Sequence, residues 1–228
     1  MSQYPSKDQA MPHKTLGVLF DLDGTLVDSA PDLAGAVNAM RVKRHLPPLP
    51  LAQLRPFASH GARGLLGAGF DMNDSHPDYF AMRDEFLEYY ERHATEHTRL
   101  FEGVDEVLNH LEKNQIAWGI ITNKYQRFTT PVVQSLGLDK RAQVIVCGDT
   151  TAHAKPHPEP LIYAAKQLNL PAQNLIYVGD DARDIQAARA AMYGKAIAAR
   201  YGYADLNAID SWGADAQINQ VIDLIATI

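Results

Sequence analysis

The sequence predicts an α/β protein with a Rossmann-like, doubly wound parallel sheet and one inserted, all-helical cap. Three observations lead there. From about residue 100 onward, short apolar runs of strand length alternate with segments of helical spacing, the pattern of parallel strands joined by crossover helices. Between Ser29 and about Arg99 the spacing is helical throughout, with no strand signal. Each apolar run also stops abruptly at polar, reactive residues, as expected where strand carboxyl ends face a binding crevice. The 228 residues are enough for one large domain, or for a core with a smaller insert.

Taken in order, Met1 to Lys14 is polar, lacks the apolar segment of a signal peptide and is expected to fray. Leu16 to Phe20 is the first strand. Pro31 to Arg44 repeats apolar residues at helical spacing (Leu33, Val37, Met40), with the proline suited to a first turn. Leu46-Pro47-Pro48-Leu49-Pro50 is a rigid break. Gln53 to Phe57 and Gly61 to Phe70 predict two short helices, and Tyr79 to His97 a longer amphipathic one. Val104 to Lys113 is helical and Ile116 to Ile121 a strand. Arg127 to Leu136 is a helix stopped by Gly137. Then follow a strand at Val144 to Cys147, a helix at Pro160 to Leu168, a strand at Leu175 to Val178 and a helix at Ala182 to Met192. A short strand at Ala196 to Ala199 and a last helix at Gln217 to Ile228 close the chain. The division expected is a frayed 1–14, an α/β core of 15–28 with 100–228, and a helical cap of 29–99.

Composition excludes several classes. The net charge is -6 with no basic stripe, which argues against a nucleic-acid partner. No apolar run approaches the ~20 residues needed to cross a bilayer, so no membrane partner is expected. A single cysteine, Cys147, rules out a disulfide within the chain and suits a reducing, cytoplasmic setting; at the end of an apolar run it reads as core.

Chemistry collects at four strand ends. Val18-Leu19-Phe20 runs into Asp21-Leu22-Asp23-Gly24-Thr25, Ile120-Ile121 into Thr122-Asn123-Lys124, and Tyr177-Val178 into Gly179-Asp180-Asp181-Ala182-Arg183-Asp184. The strand at 144–147 is followed by His153-Ala154-Lys155-Pro156. Asp21, Asp23, Asp180 and Asp184 offer oxygen ligands for a hard cation, most naturally Mg²⁺. Thr122 supplies a hydroxyl and Lys155 a positive charge, parts suited to holding a phosphoryl group in transfer. Asp21 is placed to attack phosphorus, and Asp23 to pass a proton to the leaving oxygen and later take one from water. Gly24 allows a tight turn beside the ligand.

These four segments, in this order, match the motifs of the haloacid dehalogenase superfamily, and the chain resembles that family over nearly its whole length. The resemblance implies a type-one (C1) helical cap after the first motif and an aspartyl-phosphate mechanism with Mg²⁺. Asp21 is then nucleophile and metal ligand. Asp23 is the acid/base and gives its backbone carbonyl to the metal. Thr122, Asn123 and Lys155 hold the phosphoryl group. Asp180 is a direct ligand, and Asp184 binds through water or orients Lys155. The second acid, Asp23, favours the family's phosphatases over its dehalogenases.

At finer grain Asp28-Ser29-Ala30-Pro31-Asp32-Leu33 and Lys155-Pro156-His157-Pro158-Glu159-Pro160 are similar to bacterial phosphoglycolate phosphatases. Ala39-Met40-Arg41, Gly61-Ala62-Arg63, Arg127-Phe128 and Arg200-Tyr201-Gly202-Tyr203 are closer to a branch acting on N-acetylmuramic acid 6-phosphate in cell-wall recycling. Either substrate is a small-molecule phosphate ester with a carboxylate, for which Arg63 at a cap helix start, Lys124 and Arg127 are candidate partners. A phosphosugar mutase and a non-catalytic binding module are the remaining alternatives. The protein is expected to be a monomer or homodimer. His93 and His97, four apart, would share one face of the predicted helix. Met192-Tyr193-Gly194 departs from the family, which more often has a glycine just behind Ala190-Ala191.

Overall fold

The computed structural model describes residues 17–228. The expected frayed lead-in and Leu16 lie outside the described residues. Six parallel strands form the main sheet: β1 (Gly17–Phe20), β4 (Ala117–Ile121), β5 (Val144–Val146), β6 (Leu175–Gly179), β7 (Lys195–Ala199) and β8 (Ala216–Ile218), in the order β5-β4-β1-β6-β7-β8. Two-residue strands β2 (Val27–Asp28) and β3 (Arg99–Leu100) pair antiparallel beside it.

The strands are apolar along their length because helices cover both faces of the sheet. Val18 and Phe20 face one core with Ile120, Ile176, Val178 and Ile197, whereas Leu19 faces the other with Ile121, Tyr177 and Ala198. On the first side α5 (Val104–Lys113) buries Val104, Val107, Leu108 and Leu111, a single stripe at helical spacing. On the second lie α7 (Glu159–Leu168) and α8 (Ala182–Ala190), which bury Leu161, Ala164, Ile185 and Ala188. Each large side chain so buried contributes about 1.5–3 kcal/mol relative to exposure.

Strand β1 is central, with Phe20 opposite both Ile120 and Val178. The chain after β1 is therefore flanked by the ends of β4 and β6, a switch point that sets Asp21, Thr122 and Asp180 side by side.

Between β2 and β3 come α1 (Ala30–Lys43), α2 (Leu51–Leu54), a 3-10 turn (Arg55–His60), α3 (Gly61–Phe70) and α4 (Tyr79–His93). Leu33, Val37 and Met40 of α1 are buried as their spacing predicts. The buried carboxylate of Asp32 accepts from the backbone N–H groups of His97 and Thr98 and from the Thr98 hydroxyl, all within 3.0 Å. It fastens the start of the helical block to its return strand.

Two expectations are corrected, at the end of α4 and at the C-terminus. Helix α4 ends at His93, not His97; His97 contacts Asp32 and His93 contacts Glu96, so the two histidines share no helix face. The block is bounded by the β2–β3 pair, which two-residue strands leave too short to read in sequence. Gln217 to Ile228 is not one helix: Ala216–Ile218 pairs with β7, and only Val221–Ala226 coils, as a 3-10 turn. A short α9 (Leu206–Ile209) between β7 and β8 was not expected. Among the described residues, no helix is long and apolar enough to cross a membrane.

Candidate active site

Lys155 is the hub of the site. It is buried, and its Nζ lies 2.7 Å from Asp21 Oδ1, 2.7 Å from Asp184 Oδ1, 2.7 Å from the Tyr177 hydroxyl and 2.8 Å from the Ile121 carbonyl. An ammonium has three protons. Asp21, Asp184 and Tyr177 take them, and the Tyr177 hydroxyl passes its own proton to Ile121 at 2.7 Å. Burial disfavours the ammonium, but the facing charges of Asp184 and Asp21 outweigh it and hold Lys155 above its ordinary range.

Asp21, Asp180 and Asp184 bring carboxylate oxygens within 4.8 Å of one another. Burial pushes the Asp21 carboxyl up to about 7, although Lys155 pulls it down; the charges of Asp184 and Asp23 add to the rise. Burial also carries Asp180 well above the carboxylate range, helped by Asp21 and Asp184. Asp180 is held by the Tyr203 backbone N–H at 2.8 Å and the Thr25 hydroxyl at 3.3 Å. Gly24 and Gly202 crowd it: a β-carbon on either would stand 2.2 Å from an Asp180 side-chain atom.

The carboxylate of Asp23 stands outside that acid cluster. Its Oδ1 accepts from Lys124 Nζ at 2.6 Å and from the Ser29 hydroxyl. Lys124 is therefore engaged with Asp23, its ammonium 5.0 Å from the centre of the Tyr90 ring. Burial opposes its charge, yet Asp23 and Tyr90 raise it above the usual lysine range. Thr122 is buried; its Oγ1 accepts the Lys124 backbone N–H at 3.1 Å, which leaves the hydroxyl proton for another acceptor.

Asn123 and Arg63, both sequence candidates, are placed at different distances from the cavity. The side-chain amide of Asn123 clasps the Lys155 backbone, Nδ2 to the carbonyl at 2.8 Å and Oδ1 from the N–H at 2.9 Å, while the residue itself lines the cavity. Arg63 lies outside the cavity: its guanidinium is exposed and pairs with Asp74 at 3.2 Å. Successive residues of a helix start point about 100° apart, so Gly61 and Ala62 line the cavity while Arg63 turns away.

The cavity over these acids has a volume of about 520 Å³. Its core wall carries Asp21, Asp23, Thr122, Lys155 and Asp180, and Phe86, Leu87 and Tyr90 of α4 form an apolar wall opposite. Phe128 and Arg127 enter from α6 (Gln126–Ser135). Sequence reasoning missed Tyr177, whose place in an apolar strand reads as packing. It also missed Arg83, which lines the cavity but carries no local signal beyond charge, and gave no role to Arg183, which lines the cavity from within the fourth motif.

Such a sheet, with these acids at its switch point, defines a haloacid dehalogenase-like hydrolase: that family's model matches residues 18–198, and the chain belongs to the family. It is a phosphatase of that superfamily. It is 42% identical over 208 residues to an N-acetylmuramic acid 6-phosphate phosphatase of Pseudomonas putida, covering 91% of this chain and 93% of the relative. It is 45% identical over 205 residues to a phosphoglycolate phosphatase of Xanthomonas campestris, covering 89% and 91%. Among solved structures, a predicted phosphoglycolate phosphatase from Haemophilus somnus superposes with a TM-score of 0.81 at 26% identity, covering 93% of this chain and 97% of that one.

Proposed function

We propose that this phosphatase hydrolyses N-acetylmuramic acid 6-phosphate in the cytoplasm, through a phosphorylated Asp21. The observation that carries the substrate is the cavity. About 520 Å³ walled by Phe86, Leu87, Tyr90 and Phe128 suits a sugar phosphate, whose ring offers apolar C–H faces to aromatic side chains. A two-carbon acid such as 2-phosphoglycolate has no such face and fills little of that space. Arg127, which lines the cavity with its guanidinium over the Phe128 ring, is the candidate partner for the substrate carboxylate.

The residues present fit Mg²⁺. When ionised, Asp21, Asp180 and Asp184 set three negative charges against the one positive charge of Lys155, and their oxygens converge within 4.8 Å. Hard oxygen donors and a balance of two charges match a divalent cation. Asp21 and Asp180 would hold the ion directly, with Asp184 direct or through water. Bound there, it supplies charge neutralisation for the transferring phosphoryl group.

Lys155 aims Asp21 by holding Oδ1, and Asp21 attacks phosphorus as the ester P–O bond breaks. Asp23, held on Oδ1 by Lys124 and Ser29, gives its proton to the departing sugar oxygen. The same carboxylate then takes a proton from water, which attacks the aspartyl-phosphate, releases inorganic phosphate and restores Asp21. The Thr122 hydroxyl donates to a phosphoryl oxygen. The apolar wall of α4 keeps bulk water from the reacting atoms.

The experiment is a phosphate-release screen of N-acetylmuramic acid 6-phosphate, 2-phosphoglycolate, hexose phosphates and nucleotides with Mg²⁺, alongside Asp21→Asn. The sugar ester is expected to lead on kcat/KM, and the variant to stay folded but lose turnover. A clear lead for 2-phosphoglycolate overturns the substrate; substantial activity in the variant overturns the mechanism.

A further inference from the structure

Arg183 sits between two acids of the active-site loop yet reaches the helical block 124 positions away. Its Nε donates to Asp181 Oδ1 and its Nη2 to Asp181 Oδ2, both at 2.8 Å, and Nη2 also donates to the Ser59 backbone carbonyl at 2.8 Å. The two ends of this bridge differ in kind.

The Asp181 end is fixed. Asp181 caps α8, its Oδ1 accepting the Arg183 backbone N–H at 2.9 Å, while its own N–H donates to Asp184 Oδ2 at 3.1 Å in a capping box. Asp184 is pinned in turn by Lys155. The guanidinium is thus mounted on a part of the core held by the capping box and by Lys155. A planar fork engaging both oxygens of one carboxylate has a set direction.

The Ser59 end lies in the 3-10 turn before α3, a segment of the block. Ser59 lines the cavity, and its Oγ is buried with no hydrogen-bond partner. His60, Gly61 and Ala62 beside it also line the cavity. The carbonyl that Arg183 grips therefore sets where this whole stretch of roof stands over the acids.

We infer that Arg183 is a positioning residue: it latches the Ser59 turn over the active site and holds the helical block closed on the substrate. Asp181 is the anchor of the latch and the Ser59 carbonyl its catch. If binding requires the closed arrangement, apparent affinity falls with the closed fraction, so loss of the latch raises KM and leaves the chemistry of an occupied site nearly intact. The inference rests on the site proposed around Asp21 but not on which ester is the substrate.

The test measures closure without substrate. Spin labels on Phe80→Cys of α4 and Met192→Cys behind α8, both exposed positions, in a Cys147→Ser background report the distance between block and core. The parent is expected to give a narrow distribution, and R183M and R183K a broader one extending to longer distances. D181N keeps a residue type that caps helices well but leaves only one oxygen for the guanidinium fork, so its distribution is expected to broaden as well, less than that of R183M. In phosphate release from N-acetylmuramic acid 6-phosphate, R183M is expected to raise KM about tenfold with kcat within about threefold. Should R183M fail to fold, R183K carries the same reading, because a single ammonium cannot span both partners. An unchanged distance distribution in the folded variants overturns the latch, as does a fall in kcat with KM unmoved, which marks a helix brace only. Failure on this sugar ester with the distances broadened as expected counts against the substrate and leaves the latch standing.

Discussion

The backbone of Gly24 lies against the carboxylate of Asp180. A β-carbon at position 24 would stand 2.2 Å from Asp180 Oδ2, and Gly24 has a φ of 85° that side chains rarely adopt. The turn after β1 and the acid after β6 are thereby fitted to each other at backbone level.

Gly24→Ala must displace the acid or the turn. It is expected to destabilise the fold by about 1–3 kcal/mol and to lower phosphate release at least about tenfold, since small misplacements at a site are costly. Denaturant melts and a Mg²⁺ titration of activity check both. Parent-like activity with a parent-like Mg²⁺ midpoint would show that the fit is not needed.

Tyr177→Phe removes the hydroxyl that takes a proton from Lys155 and hands one to Ile121. The Ile121 carbonyl is already 2.8 Å from Nζ and can accept in its place. The cost is expected to be about 1–2 kcal/mol of stability, with kcat down no more than about tenfold. A thousandfold loss of kcat would mean that the phenol joins in the proton transfers.

Glu85 on α4 binds Lys43 at the end of α1 and Arg44 just past it. The Arg44 hydrogen bond, against some burial, holds its carboxyl at about 2, below the ordinary 4.5. A depressed carboxyl stabilises the fold fully above its unfolded pKa, and that contribution fades as pH falls from about 4.5 toward 2. Glu85→Gln is expected to cost about 1 kcal/mol at pH 7, because the ion pairs are partly exposed. Urea melts of both proteins at pH 7 and pH 3 should show the gap narrowing in acid. A constant gap would remove the ion pairs as its cause.

Met192 is the left-handed residue that ends α8. Its N–H bonds to the Arg189 carbonyl at 3.1 Å and that of Tyr193 to the Ala188 carbonyl at 3.1 Å, the double bond of a Schellman motif. At φ 61° and 76% exposed, Met192 carries strain with little packing to offset it. Met192→Gly is expected to stabilise the protein by about 1 kcal/mol, read as a higher midpoint in denaturant. A lower midpoint would mean that the exposed side chain packs in a way its accessibility hides.

The fold and the four strand-end clusters were legible because both rest on local pattern. Apolar runs such as Leu175 to Val178 mark buried strands, and their abrupt ends mark the crevice. What escaped rests on distant partners. Arg183 is visible in its motif, but the Ser59 carbonyl that gives it purpose is not. Arg63 and Ala62 differ only by helical phase, which decides which of them faces the cavity. At the C-terminus Val221, Leu224, Ile225 and Ile228 have helical spacing, yet pairing of Ala216–Ile218 with β7 claims the start of that segment for the sheet.

The small β2–β3 pair has a consequence for how the molecule is built up. Val27 and Asp28 leave the core hydrogen-bonded to Leu100 and Arg99, where the chain returns. Seventy residues thus begin and end at neighbouring points about 5 Å apart. Closing that gap costs a chain little more entropy whether the excursion is short or long. The core's strand order is indifferent to what fills it. The length of the excursion is therefore nearly free to vary at this joint, with Asp21 and its neighbours held by the strands below.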